Sequence, residues 1–148
     1  MKGIKRTAWN WCSKYIRLRD AIEYHKSIGD PDIRFCRCCT CGKIMPWRGT
    51  TEDQDCDAGH YIGRGMGGSS GVYFDERNIH AQCKAENKFG LYTPGAYDAF
   101  MLGKYGQGVI EELQIFHKVG SYKGKLPGFS VMYREMYKSL CAQHGVKP

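Results

Sequence analysis

Five of the chain's eight cysteines, Cys36, Cys38, Cys39, Cys41 and Cys56, crowd one short interval, and this crowding constrains the fold more than any other feature. The first residues, MKGIKRTAWNWCSKY, are basic but carry no apolar central segment, so a secretory leader is not expected. In the intracellular setting this implies, thiols stay reduced, and clustered cysteines point to metal. Cys38-Cys39-Thr40-Cys41-Gly42 holds a C-x-x-C followed by glycine. Two thiolates at that spacing can grip one tetrahedral zinc ion from a tight turn that glycine relieves. A second half begins at Cys83, but Glu86 stands where its partner cysteine would be. Cys38, Cys41 and Cys83 are thus three zinc ligands. The fourth is open among an oxygen of Glu86 and a thiolate of Cys36, Cys39 or Cys56. The competing reading is that the cysteines are small buried hydrophobes.

A chain of 148 residues can bury one substantial core. The net charge of +7 is spread along the sequence, which suits a folded face meeting a polyanion. No apolar run approaches the roughly 20 residues needed to cross a bilayer.

TAWNWCSKYIRLRDAIEYHKS reads as a helix with Trp11, Tyr15, Leu18 and Ile22 on one stripe and Lys14, Arg17 and Arg19 off it. Gly29, Asp30 and Pro31 end it. Short strands are expected at Lys43–Met45, Ala58–Ile62 and Val72–Phe74, and a helix from about Asn78 to Phe89. Thr93-Pro94 opens a further helix over GAYDAFMLGKYG. Helices over Val109–Val119 and SVMYREMYKSLCAQHG follow; the last places Met132, Tyr133, Met136, Tyr137, Leu140 and Cys141 on one face, as core or as a subunit contact.

Within this frame His60 ends a strand, Asn78 precedes a helix and Asn87 lies one residue beyond Glu86. The pattern resembles the HNH, or His-Me finger, nucleases. YIRLRDA (15–21), CCTCG (38–42), DAGHY (57–61), Arg64-Gly65 and FDERNIHAQC (74–83) together are similar to the NinG (Rap) family of lambda-type phage recombination nucleases, over roughly positions 9 to 106. The resemblance implies an α+β fold: a small ββα-metal core with a zinc-knuckle-like turn, flanked by an N-terminal helix and C-terminal helices. It implies a nuclease domain over 1–106 and a helical extension over 107–148.

It also implies roles. His60 is the general base and Asn78 braces the loop that carries it. Asp57 and Asn87 hold a catalytic Mg²⁺ or Mn²⁺. A histidine suits the task because its unperturbed pKa lies near neutrality, and a hard cation takes oxygen ligands. Arg64, His80, Arg17, Arg19, Lys84 and Lys88 are DNA-contacting candidates, with helix packing the alternative for His80. The expected partners are DNA, branched in form, a recombinase, and a second copy through the C-terminal helix; the expected setting is the cytoplasm of a host bacterium. Two other functions compete with DNA cleavage: a non-catalytic zinc-knuckle module that binds DNA or a recombinase, and a nuclease or toxin acting on RNA.

Overall fold

The computed structural model describes residues 3–49, 55–63, 70–91 and 93–148. Helix α1 runs over Gly3–Ile28. Ala8, Cys12 and Ile16 recur at four-residue spacing and are fully buried, and Leu18, Ala21, Ile22 and His25 continue the buried face. Gly29, at φ +71°, turns the chain out of the helix. His25 then fastens the exit: its Nε2 accepts the backbone N–H groups of Arg34 and Phe35, both at 3.0 Å.

Strands β1 (Phe35–Arg37) and β2 (Ile44–Pro46) form an antiparallel pair with Cys36 opposite Met45. The turn between them carries Cys38 to Gly42. A second antiparallel pair joins β3 (Cys56–His60) to β4 (Ile79–Cys83), with Asp57 opposite Gln82 and Gly59 opposite His80. Helix α2 (Lys84–Phe89) follows β4 directly.

This corrects the helix expected from Asn78 to Phe89. Glu76–Asn78 is a single 3-10 turn whose start is capped by Asp75, and the next five residues are strand. All five are buried, so pairing with β3 supplies partners for backbone groups that would otherwise be stranded in the core. Val72–Phe74 is turn rather than strand; the strand that pairs with β3 is β4.

Helices α3 (Ala96–Tyr105), α4 (Gln107–Val119) and α5 (Leu126–His144) complete the chain. Tyr97 on α3 donates its hydroxyl to the Gly59 carbonyl at 2.6 Å and so pins α3 to β3. The tyrosine face of α5 packs on α1, through Trp11–Tyr137 at 6.1 Å and Tyr15–Tyr133 at 5.7 Å between ring centroids. Tyr133, Tyr137 and Cys141 are buried there. Of the face expected as core or as a subunit contact, these three residues are core, and Met132 is exposed. Among the described residues, no helix is long and apolar enough to cross a membrane.

Candidate functional site

The knuckle turn is built by backbone bonds: Cys38 N–H donates to the Lys43 carbonyl at 2.8 Å, and Gly42 N–H to the Cys38 carbonyl at 2.9 Å. Gly42 sits at φ +79°, where a side chain would be strained. Cys39 N–H reaches the Ala81 carbonyl at 2.9 Å and docks the turn on β4. Cys83 and Glu86, three residues apart at the start of α2, then face it.

Ligand atoms of Cys38, Cys41, Cys83 and Glu86 all lie within 4.8 Å of one another. The Cys41 and Cys83 sulfurs are 3.9 Å apart. A tetrahedral zinc with Zn–S bonds of about 2.3 Å needs sulfurs about 3.8 Å apart, so three thiols and a carboxyl at these positions can hold such an ion. The Cys38 thiol is held below its ordinary pKa: burial pushes it up, but hydrogen bonds from the Thr40 hydroxyl and from backbone N–H groups outweigh burial. Burial and Glu86 push Cys41 up to about 12, so metal binding must displace a proton there.

Cys36 and Cys56 do not join this set. Their sulfurs meet each other at 3.0 Å in the core, and Cys36 also reaches the Met45 carbonyl at 3.7 Å. Cys39 is half-buried and stands outside the set as well. Glu86 is the fourth donor that the fold brings in.

The second constellation lies on the β3–β4–α2 unit. Asn78 is fully buried and spends its whole amide on backbone. Its Nδ2 donates to the carbonyls of Ile62 (2.9 Å) and Val72 (3.1 Å), and its Oδ1 accepts from Ile62 N–H (2.8 Å). It thus ties together the two ends of the segment between Ile62 and Val72. His60, at the end of β3, places Nε2 at 2.8 Å from the Tyr73 carbonyl. Its ring stacks on Trp9 at 4.9 Å and meets the Tyr73 ring at 4.5 Å. Since a carbonyl only accepts, Nε2 carries the proton, and in the neutral ring Nδ1 carries the lone pair.

Asp57 and Asn87 are in contact: Asn87 Nδ2 donates to Asp57 Oδ2 at 3.1 Å. Lys84 Nζ binds the other oxygen of Asp57 at 2.8 Å. Alternation along β3 puts Asp57 with Gly59 on one face and His60 on the other. Strand geometry thus brings the carboxylate and the amide together and sets the histidine apart from both.

The DNA-contacting candidates divide. Arg17 is buried, with Nη1 on the Trp47 carbonyl at 3.0 Å and Nε on the Ser13 carbonyl at 3.2 Å. Arg19 gives Nη1 and Nη2 to the carbonyls of Glu76 and Ile79, both at 2.7 Å, and Nε to Asp20. These guanidiniums hold α1 to the rest of the fold instead of facing solvent. His80 is 1% exposed and lies between the hydroxyls of Tyr97 and Tyr105 at 3.3 and 2.8 Å. Burial, helped by the charges of Arg19 and Lys104, pushes its pKa down to about 2. It is a neutral core residue, on a strand where helix packing was the alternative. Lys84 is engaged with Asp57, and Lys88 is exposed. Arg64 lies outside the described residues.

Trp9, Thr40 and Gln82 are absent from the expected set. Gln82 had a signal available: on a strand, it shares a face with Asp57. Reading that segment as helix hid the pairing.

These features define the class: an α+β chain whose cysteine–glutamate cluster, at the junction of a tight turn and a β–α unit, can hold a metal such as zinc. More particularly, the chain belongs to the NinG family, described as Bacteriophage Lambda NinG protein, which it matches over residues 7–140. No curated protein and no solved structure matches it.

Proposed function

We propose that the chain is a divalent-metal-dependent endonuclease of phage recombination, of the HNH or His-Me kind, that hydrolyses phosphodiester bonds in branched DNA. Membership of the NinG family supports the recombination setting. The observation that carries the chemistry is the shared β3–β4–α2 scaffold, on which a histidine fixed by a backbone carbonyl stands on one face of β3 and a carboxylate–amide pair on the other. In the His-Me pattern a metal ligand directly precedes the base. Here that position is Gly59, and Asp57 shares its face.

His60 serves as general base: with Nε2–H held by Tyr73, Nδ1 takes the proton of the attacking water. Asn78 holds the Val72 carbonyl, one residue before that carbonyl, and Trp9 stacks on the ring. Asp57 and Asn87 supply oxygens suited to Mg²⁺ or Mn²⁺. A cation held there would supply charge neutralisation at the phosphate oxygens and at the leaving 3′ oxygen. Cys38, Cys41, Cys83 and Glu86 would hold a structural zinc, which would fasten α2, and Asn87 with it, to the knuckle turn.

The test incubates the protein with linear duplex, single-stranded, D-loop and four-way-junction DNA, and with RNA, in Mg²⁺ or EDTA. Metal-dependent cleavage of the branched DNA is the expected result. Binding without cleavage in every divalent ion tried returns the chain to the non-catalytic knuckle module, which the cysteine–glutamate cluster alone would serve. Cleavage confined to RNA overturns the substrate.

A further inference from the structure

Gly59 directly precedes His60, and its face of β3 is that of Asp57 and of Gln82 across the ladder. A β-carbon on Gly59 would stand 2.1 Å from Gln82 Oε1 and 2.9 Å from Asn87 Oδ1. Glycine is what lets two amide oxygens descend on the strand at this point.

The orientation of each oxygen is dictated by its own amide nitrogen. The single hydroxyl proton of Thr40 has Glu86 Oε1 at 2.5 Å and the Cys38 sulfur at 3.4 Å as its acceptors; with either, the Thr40 oxygen is left to accept, and Gln82 Nε2 donates to it at 3.1 Å. That pins the amide with nitrogen toward Thr40 and oxygen toward Gly59. On the other side Asp57, paired with Lys84, accepts Asn87 Nδ2. This turns Asn87 Oδ1 to the same spot. Among the described residues no N–H or O–H donates to either oxygen. Gln82 is 2% exposed, yet among the described residues no fully buried side-chain oxygen lacks a partner, so its oxygen is not sealed from solvent.

The Gln82 and Asn87 oxygens converge at Gly59 with no donor between them among the described residues, beside an Asp57 carboxylate held by Lys84 and Asn87 Nδ2, and a cation at this face would join all three. We propose that Gln82, through Oε1, is a protein ligand of the divalent cation held by Asp57 and Asn87. This rests on reading that pair as a cation site. One carboxylate and two neutral oxygens suit a hard ion that keeps several waters. The Thr40–Glu86 link gives the knuckle a second task. The residue standing in place of its last cysteine sets the direction of the Gln82 oxygen, as outer partners of metal ligands do.

The measurement is Mn²⁺ binding to the zinc-loaded protein without nucleic acid, followed by the electron paramagnetic resonance signal of free Mn²⁺. Folding of every variant is checked by circular dichroism. Asp57→Ala should abolish binding. Gln82→Met, which keeps the volume and removes the oxygen, should weaken it ~10-fold or more. Gln82→Glu should restore it, and Thr40→Val should weaken it by disorienting the amide. Gln82→Met binding Mn²⁺ as tightly as the wild type, while Asp57→Ala does not, overturns the role of Gln82 and leaves the cation site standing. No Mn²⁺ binding by the wild type overturns both.

Discussion

At the scale of single residues, the site depends on two side chains that touch no substrate. Asn78 holds three backbone groups from a fully buried position. Truncation to alanine leaves the Ile62 and Val72 carbonyls without that donor. Since each stranded group costs about 1–3 kcal/mol, Asn78→Ala should destabilise the fold by about 2–4 kcal/mol in urea melts. Asn78→Asp keeps the acceptor for Ile62 N–H and loses both donors, so it should recover only a small part. A loss below about 0.5 kcal/mol for the alanine variant would mean that the segment is held by other contacts. Arg17 teaches the same lesson from the opposite side. In the sequence it is a basic residue off the apolar stripe of α1, which reads as solvent-facing. A guanidinium on a long stem can nonetheless fold back to a carbonyl 30 residues on, as it does at Trp47.

At the scale of elements, β4 is the one whose chemistry the sequence concealed. Ala81, Gln82, Lys84, Ala85 and Glu86 favour helix, and a period of two over five residues is too short to compete with that signal. Helix α1, the knuckle turn and α5 were legible because long apolar periods and a cysteine spacing with a glycine are strong signals. The two antiparallel pairs were legible only in part, since no strand was expected at Phe35–Arg37 and one was assigned to Val72–Phe74. Burial of His80 on β4 makes a pH prediction. Its folded pKa, about 2, lies below the ordinary value of 6.5. Between those values the unfolded chain binds the proton and the folded chain does not, so stability falls as pH falls through that window. The slope from this one group is about 1.4 kcal/mol per pH unit. In urea titrations from pH 6 to pH 4, the stability difference between the wild type and His80→Gln should change by roughly that slope. A difference that stays constant with pH would place His80 where it can take up a proton in the folded state.

At the scale of the whole molecule, the metal cluster and the candidate catalytic face are parts of one network. Glu86 reaches the knuckle sulfurs, Thr40 reaches Glu86, Gln82 reaches Thr40, and Gln82 with Asn87 stands over Gly59. Helix α5 supports the opposite side of β3 through α1, since Tyr133 shares a core with Ile16, Ala58 and Ile79. A residue in the expected extension, 107–148, thus packs with residues of the expected domain, 1–106. Challenge with a chelator tests the zinc end of the network. Glu86→Cys, with four thiolates, should hold zinc longer than the wild type, and Glu86→Ala should release it first. Release should lower stability by several kcal/mol, because ligand binding and folding are coupled at such sites. Equal retention by all three proteins would show that Glu86 is not a ligand.

We propose that His60 removes the proton from the attacking water. The most direct measurement is the single-turnover cleavage rate of a four-way junction in Mg²⁺, wild type against His60→Ala, with junction affinity measured in parallel. Loss of the base should slow cleavage by about 10²–10⁴-fold while affinity stays within a factor of a few. Cleavage by His60→Ala at the wild-type rate would contradict the account.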